Sequence, residues 1–204
     1  MAIEVELKQV SKRFKRDWII QHVDYTFASG DNTAVLGANG SGKSTLLKIL
    51  CGYMATTEGE IIWRNDGQEI DPASWHHFFA YTAPYLELIE EYTLQECLDF
   101  HFSLKSLRTD IDLEEWLEES GLSKHKSKQV QNFSSGMKQR LKLILTLGSN
   151  VQIYFLDEPC SNLDESGIQW YQQLISTLSL DKTIVVASNS HDEYAFCDKT
   201  ISVN

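Results

Sequence analysis

A glycine-rich octapeptide between an apolar strand and an apolar helix is the segment best suited to chemistry. It runs from Gly37 to Ser44 and matches the pattern GxxxxGK[ST], whose glycines let consecutive backbone N–H groups curl around a phosphate. Lys43 is expected to reach the β- and γ-phosphates of a nucleotide, and the Ser44 hydroxyl is expected to bind Mg²⁺. The predicted nucleotide-binding residues here are Gly37, Ala38, Asn39, Gly40, Ser41, Gly42, Lys43, Ser44 and Thr45.

Two adjacent acids follow a second apolar run. Ile153 to Leu156 shows no alternation of polarity, as expected for a strand buried on both faces, and it is followed by Asp157 and Glu158. We predict that Asp157 binds Mg²⁺ through the coordination shell of the ion. We predict that Glu158 is the general base that orients and polarises an attacking water. An Asp–Glu pair alone is usually a solvated turn, so both predictions depend on the glycine loop upstream.

A histidine follows a third apolar run. Thr183 to Ala187 is rich in β-branched residues and leads through Ser188, Asn189 and Ser190 to His191. Ligands of an open α/β sheet bind at the carboxyl ends of its strands. We therefore expect Lys43, Asp157 and His191 to converge on one edge of one sheet, although a lone histidine is more often a surface residue.

The elements that must position these residues indicate an α/β fold. Residues 3–36 alternate like strands, Glu60 to Trp63 predicts another strand, and Ser44 to Leu50 predicts a helix that Gly52 ends. From about 86 to 150 the pattern turns helical, with a capping box formed by Thr93 and Glu96. Buried strands of this kind imply a mostly parallel central sheet. Nothing marks a second domain, so we predict one domain over residues 1–204.

Composition narrows the class of protein. The chain has 204 residues and a formal net charge of −11, which argues against nucleic acid as the main partner. Charged residues interrupt the N-terminus and the longest apolar runs are short, so neither a signal peptide nor a membrane-spanning helix is predicted. The four cysteines show no CxxC spacing and are interpreted as reduced packing residues. These features predict a cytoplasmic protein whose membrane association, if any, comes through a partner.

The segment from Phe133 to Arg140, with the sequence FSSGMKQR, resembles the LSGGQ signature of the ABC ATPase family. Together with the glycine loop upstream and Asp157 and Glu158 downstream, this resemblance covers essentially the whole chain. It implies a P-loop NTPase fold of the ABC type, with an N-terminal antiparallel β subdomain and a helical subdomain at about 86–150. It also implies ATP and Mg²⁺ as ligands. The signature residues, implied to contact the ATP of a partner subunit, are Ser134, Ser135, Gly136 and Met137.

Further site residues follow from the same resemblance. Phe14 lies where the family places an aromatic ring that stacks on adenine, and His191 matches its switch histidine at the γ-phosphate. The family's D-loop is matched by Ser161, Asn162, Leu163 and Asp164. One position departs from the family: Tyr85 stands where a glutamine would touch Mg²⁺ and couple to the membrane subunit.

The resemblance implies an ATP-hydrolysing subunit that dimerises with a like or unlike chain around two ATP molecules. The dimer would power an integral membrane transporter subunit from the inner face of the membrane, and the sequence most resembles ATPases of exporters, including haem exporters. The alternative is a soluble ABC ATPase in iron–sulfur assembly or another non-transport process. A nucleotide-binding module without turnover is disfavoured, because Glu158 and His191 are both present.

Overall fold

The computed structural model describes residues 2–178 and 180–203. Within these ranges the strands are β1 (Ile3–Phe14), β2 (Asp17–Phe27), β3 (Asn32–Leu36), β4 (Glu58–Asn65), β5 (Gln68–Glu69), β6 (Phe79–Thr82), β7 (Ile153–Asp157), β8 (Thr183–Ala187) and β9 (Lys199–Ser202). The α-helices are α1 (Lys43–Leu50), α2 (Leu94–Leu104), α3 (Leu113–Glu119), α4 (Ser135–Leu147), α5 (Glu165–Ser176) and α6 (His191–Tyr194). Short 3₁₀ turns cover Pro72–His77, Ser123–His125 and Val130–Asn132.

The chain folds into two compact units. The first unit comprises the residues up to Tyr81, Val151–Glu158 and the residues from Leu180 onward, and it holds both sheets. The second comprises Thr82–Asn150 and 159–179, and it holds α2 to α5. Because this division does not decide how many domains the chain forms, the expectation of one domain over residues 1–204 stays a prediction.

The first unit contains the two kinds of sheet that the sequence predicts. An antiparallel sheet has the strand order β2-β1-β4-β5, and a second sheet has the order β6-β7-β8-β3-β9. In the second sheet the pairs β7–β8, β8–β3 and β3–β9 are all parallel. Every residue of β7 and β8 is buried, which explains their unbroken apolar sequence.

The register of the parallel sheet brings three strand ends together. Ala187, the last residue of β8, lies opposite Val35 of β3 and opposite Asp157 at the end of β7. The glycine loop follows β3 and Glu158 follows β7, so both begin beside the end of β8. This alignment of strand ends positions the candidate site.

The second unit is built on well-capped helices. The predicted capping box at α2 is present: Thr93 Oγ1 accepts from Glu96 N at 3.2 Å, and Glu96 Oε2 accepts from Thr93 N at 2.7 Å. The hydrogen bond from Thr93 N, followed by one from the Thr93 hydroxyl at 2.8 Å, lowers the pKa of the Glu96 carboxyl. At α3, Asp112 Oδ1 accepts from Glu114 N at 2.9 Å. The acidic N-terminal positions of both helices also suit the positive end of the helix dipole.

Arg108 ties together the ends of two helices in the second unit. It is 4% exposed, and its guanidinium donates to Leu147 O at the end of α4 at 3.3 Å and to Thr177 O after α5 at 2.7 Å. Asp110 supplies its ionic partner at 2.7 Å. The side chain thus satisfies carbonyl groups that helix ends leave without intrahelical partners.

We expect Arg108→Ala to lower the free energy of unfolding by about 2–4 kcal/mol, because the carbonyl oxygens of Thr177 and of the buried Leu147 lose their donor. Urea denaturation of the full chain measures this. Arg64→Ala is the matched control, since Arg64 pairs with Glu4 and Glu6 in a more exposed setting and its loss should destabilise the protein much less than the loss of Arg108. Equal losses in the two variants would contradict the assigned role of Arg108.

The four cysteines are mostly buried. Cys51, Cys97 and Cys160 are buried and Cys197 is half-buried, and none of the four forms a disulfide within the described part of the chain. Burial raises the pKa of Cys97 to about 11 and that of Cys197 to about 12, with a smaller contribution from neighbouring acids, so both thiols are protonated at neutral pH. None of the helices in the described ranges is long and apolar enough to cross a membrane.

Candidate functional site

The glycine loop has the backbone that its sequence predicts. It connects the end of β3 to α1, and Gly42, the residue before the helix, has φ 107°. A side chain at Gly42 would come within 2.7 Å of Ile19, and one at Gly37 within 2.4 Å of Val203 O. These positions therefore require glycine both for conformation and for space. The first-turn N–H groups of α1 point back toward the loop, as an anion-binding helix terminus requires.

Lys43 is enclosed by the loop it ends. It is 6% exposed, and its ammonium donates to Gly37 O at 2.8 Å and Ala38 O at 3.2 Å. The positive charge therefore lies inside the loop, next to the backbone that would surround a phosphate. A buried ammonium that is only partly hydrated attracts an anion strongly, because its positive charge is compact.

Ser44 and Asp157 meet across the sheet edge. Ser44 Oγ donates to Asp157 Oδ1 at 3.0 Å, and Asp157 is 1% exposed. The sequence separates these residues by more than a hundred positions, yet the fold joins the helix start after β3 with the end of β7. A hydroxyl and a carboxylate are brought into contact at the mouth of the loop.

Glu158 has an unusual backbone conformation. Its φ is +44°, in the left-handed region that non-glycine residues rarely adopt, and its N–H donates to Ala187 O at 2.9 Å. Such conformations cost about 1–3 kcal/mol and persist where the surrounding structure demands them, often at functional sites. Glu158 itself is exposed.

A cavity of about 330 Å³ joins these groups. It is lined by Phe14, Ile19, Asn39, Gly40, Gly42, Lys43, Ser44, Thr45 and Glu158, which includes most of the nucleotide-binding residues predicted from the sequence. Phe14 is 42% exposed, and the Lys12 ammonium lies 5.3 Å from its ring centroid. The cavity thus has an aromatic residue, a charged loop and an acid on its walls.

His191 lies outside this lining. It is exposed at the start of α6, and its ring packs edge-on against Tyr194 with 5.4 Å between centroids. The residue of this segment that reaches the glycine loop is Asn189, whose Nδ2 donates to Asn39 Oδ1 at 2.6 Å. Sequence reasoning missed Asn189, although the polar run after β8 contains it. Ser41 Oγ is also notable, because it is buried and has no partner among the described residues.

The predicted signature and D-loop residues lie together in the second unit. All of them except Ser161 line an open depression of about 520 Å³, formed by Ser120, Ser134, Ser135, Gly136, Met137, Arg140, Asn162, Leu163 and Asp164. Ser134 caps α4, with its Oγ accepting from Met137 N at 3.2 Å. A side chain at Gly136 would approach Asn162 O to 3.1 Å, so glycine permits this close contact.

Arg140 and Asp164 fix the D-loop. They pair at 3.1 Å, and Asp164 caps α5 by accepting from Gly167 N at 2.9 Å. The hydrogen bond from Gly167 N, followed by contacts with Ser166 and Arg140, lowers the pKa of the Asp164 carboxyl. These contacts hold the start of α5 and the loop before it in place beside the depression.

Comparison with known protein families identifies the family to which a chain with these sites belongs. The sequence profile of the family described as ABC transporter matches residues 20–161, well over half of the chain. This chain belongs to the ABC transporter family. The matched range includes the glycine loop, the signature segment and the two acids after β7.

Individual ABC transporter proteins resemble the chain over nearly its whole length. YybJ of Bacillus subtilis (strain 168), an uncharacterized ABC transporter ATP-binding protein, is 28% identical over 98% of this chain and 92% of its own length. The energy-coupling factor transporter ATP-binding protein EcfA1 of Thermotoga maritima is 32% identical over 94% of this chain and 74% of its own. Among solved structures, a dimeric ATP-binding cassette with ADP and Pi bound has a TM-score of 0.82 at 23% identity, covering 98% of this chain and 94% of its own.

Membership of the ABC transporter family confirms several predictions. The P-loop fold of the ABC type, with parallel and antiparallel sheets and a set of helices, is the one predicted. ATP binding and ATP hydrolysis are the activities of this family, and the chain is an ATP-binding subunit of a transport system. The alternative of a soluble ATPase in iron–sulfur assembly finds no support in these relatives.

Tyr85 lies in the second unit and is 46% exposed. The two carbonyl groups before it, of Ala83 and Pro84, accept from the Lys142 ammonium at 3.2 Å and 2.8 Å. Burial, followed by the charge of Lys138, lowers the pKa of Lys142. Helix α4 thus holds the backbone that precedes Tyr85, and the role of Tyr85 itself stays a prediction.

Proposed function

We propose that the first-unit cavity binds ATP with Mg²⁺ and that Glu158 drives hydrolysis of its terminal phosphate. The contact between Ser44 Oγ and Asp157 Oδ1, at 3.0 Å, carries this proposal. It supports the proposal because a hydroxyl and a carboxylate, both able to bind a metal ion, meet next to Lys43 at the end of the glycine loop. These are the parts from which phosphoryl-transfer sites of this kind are built.

The residues present fit both ligands. Ser44 and Asp157 offer hard oxygen atoms of the kind that Mg²⁺ prefers, and the orphaned Ser41 hydroxyl can donate to a phosphate oxygen. When bound, Mg²⁺ neutralises charge that develops on the phosphates. Lys43 adds a second positive charge, and the loop N–H groups donate to the same oxygens.

The chain's own groups then divide the work of hydrolysis. The loop and Lys43 hold the phosphates in position, which supplies much of the catalysis in phosphoryl transfer. Glu158, held in its left-handed conformation with its N–H bound to Ala187 O, orients a water and accepts its proton. The sequence also predicts a catalytic part for His191, which is exposed at the start of α6.

Phe14 is proposed to stack on the adenine ring, since its exposed ring lines the same cavity as the glycine loop. We expect Phe14→Ala to weaken ATP binding about fivefold to a hundredfold, because stacking of a base on an aromatic ring is worth about 1–3 kcal/mol. Titration with ATP measures the change. Phe14→Tyr keeps a ring and should bind nearly as well as the parent; an equal loss in both variants would contradict stacking.

The second-unit depression is proposed to complete the site of another subunit. Ser134 accepts from Met137 N through its oxygen, so its hydroxyl proton remains able to donate to a phosphate. The start of α4 adds backbone N–H groups and a partial positive charge. Ser135, Gly136 and Met137 would thus cap the ATP bound by the partner, while Ser161 to Asp164 contact the opposite subunit.

A dimer closed by ATP can move a membrane subunit between conformations, since closure is a population shift powered by differential affinity. We propose an integral membrane partner, which would hold the dimer at the inner face of the membrane. The resemblance to exporter ATPases, including haem exporters, favours export as the direction of transport.

The test is to express tagged Glu158→Gln in the cell that encodes it, extract it in mild detergent with ATP and identify the proteins that co-purify. We expect a polytopic membrane protein at near-equal stoichiometry. Lys43→Ala, expected to bind ATP poorly, is the control for dependence on ATP. Ribosomal, DNA-bound or cluster-assembly partners without a membrane protein would contradict the transporter function.

A further inference from the structure

Asn189 makes a direct side-chain contact between the end of β8 and the phosphate loop. Its Nδ2 donates to Asn39 Oδ1 at 2.6 Å, across 150 positions of sequence. Asn39 itself lines the cavity in which ATP is proposed to bind. The contact therefore joins a residue of the proposed nucleotide site to the segment after β8. In that segment the sequence predicts a role for His191.

The sheet explains why this segment reaches the loop. β8 lies between β7 and β3, and Ala187 is in register with Asp157 on one side and Val35 on the other. Residues just beyond Ala187 must therefore emerge between the phosphate loop and the two acids. Ala187 O also accepts from the N–H of Glu158 at 2.9 Å. The end of β8 thus contacts both the proposed base and the phosphate loop.

The neighbours of Asn189 make contacts with other residues than those of the phosphate loop. Ser188 is buried, and its hydroxyl is occupied by the backbone of Ser190, accepting from N at 2.9 Å and donating to O at 3.4 Å. His191 is exposed and packs on Tyr194. Among these neighbouring residues, it is Asn189 that contacts the phosphate loop.

We propose that Asn189 is a positioning residue for the phosphate loop and carries the phosphate-end role that the sequence assigned to His191. This rests on the proposed function of the cavity. The amide donates to Asn39 and holds that side chain relative to β8, to which Glu158 is also bonded. The loop that binds the phosphates and the base that activates water are then both held in position relative to the end of β8. An amide does not titrate, so this link keeps its hydrogen-bonding capacity across the pH range in which a histidine would change charge.

The test is a double-mutant cycle in full-length Glu158→Gln, which allows ATP binding to be titrated without turnover. We expect Asn189→Ala and Asn39→Ala each to weaken ATP binding about fivefold, the change that one net hydrogen bond of about 1 kcal/mol corresponds to. Because both substitutions remove the same contact, the double variant should be no more than about twofold weaker than either single one. Thermal melting of each variant checks that the fold is intact, and Gln68→Ala, at an exposed position of β5, is the matched control.

Two results would overturn the proposal. Either unchanged ATP binding in Asn189→Ala, or losses in the two single variants that multiply to about 25-fold in the double variant, would show that the contact does not position the loop. His191→Ala is the competing variant: a loss as large as that of Asn189→Ala, without coupling to Asn39→Ala, would return the role to the histidine. If Glu158→Gln with both asparagines intact fails to bind ATP, it is instead the proposed function of the cavity that fails.

Discussion

Glu158→Gln is expected to bind ATP as the parent does and to hydrolyse it about 10²- to 10⁴-fold more slowly, the contribution usual for a general base. Glutamine keeps the size of the side chain but cannot accept a proton from water. It also leaves the hydrogen bond from residue 158 N to Ala187 O in place, because that bond belongs to the backbone. Phosphate release and ATP titration, performed on the same preparation, separate the loss of turnover from binding.

The matched control for this prediction is Glu69→Gln, which removes an exposed carboxylate of β5 in the same unit. Its rate should equal that of the parent. If Glu158→Gln also hydrolysed ATP at the parent rate, Glu158 would not be the base, and its strained backbone would need another explanation.

Lys43→Ala is expected to weaken ATP binding by at least about 100-fold. The variant loses a buried positive charge next to the phosphates, and each charge-assisted hydrogen bond from such a group is worth about 1.5–3 kcal/mol. It also loses the donor that Gly37 O and Ala38 O share, so the loop itself is less fixed. Isothermal titration with ATP measures the change, and circular dichroism confirms that the fold is intact.

Lys8→Ala provides the comparison for Lys43, because Lys8 carries the same charge on β1 and pairs with Glu6 and Glu60 at the surface. ATP affinity should be unaffected by its removal. Retention of parent affinity in Lys43→Ala would place the phosphates elsewhere and contradict the assignment of the cavity.

Local signals predicted most of the fold that surrounds the ATP site. The loop from Gly37 to Ser44 needs glycine for its own backbone, and β7 and β8 are apolar because both faces are buried, so each could be recognised from neighbouring residues. The capping box of Thr93 and Glu96 is local in the same way. Parallel pairing then brings the strand ends together, which is why Ser44 and Asp157 could be expected to meet.

Contacts between distant segments could not be predicted. The hydrogen bond between Asn39 and Asn189 depends on the register of β8 between its neighbours, and nothing near either residue specifies it. The contact of Lys142 with the carbonyl groups before Tyr85 is hidden for the same reason. Helix α5 was also missed, although Asp164 caps it and Trp170, Tyr171 and Leu174 have helical spacing that would have indicated it.

The most direct test of the account is the mass of Glu158→Gln in solution, measured by sedimentation equilibrium with saturating ATP and Mg²⁺ and again with ADP. If one subunit's signature residues complete the ATP site of another, the protein should have the mass of two chains with ATP and of one chain with ADP. Lys43→Ala should remain a single chain under both conditions. A Glu158→Gln protein that binds ATP tightly yet keeps the mass of one chain would contradict a site shared between two subunits.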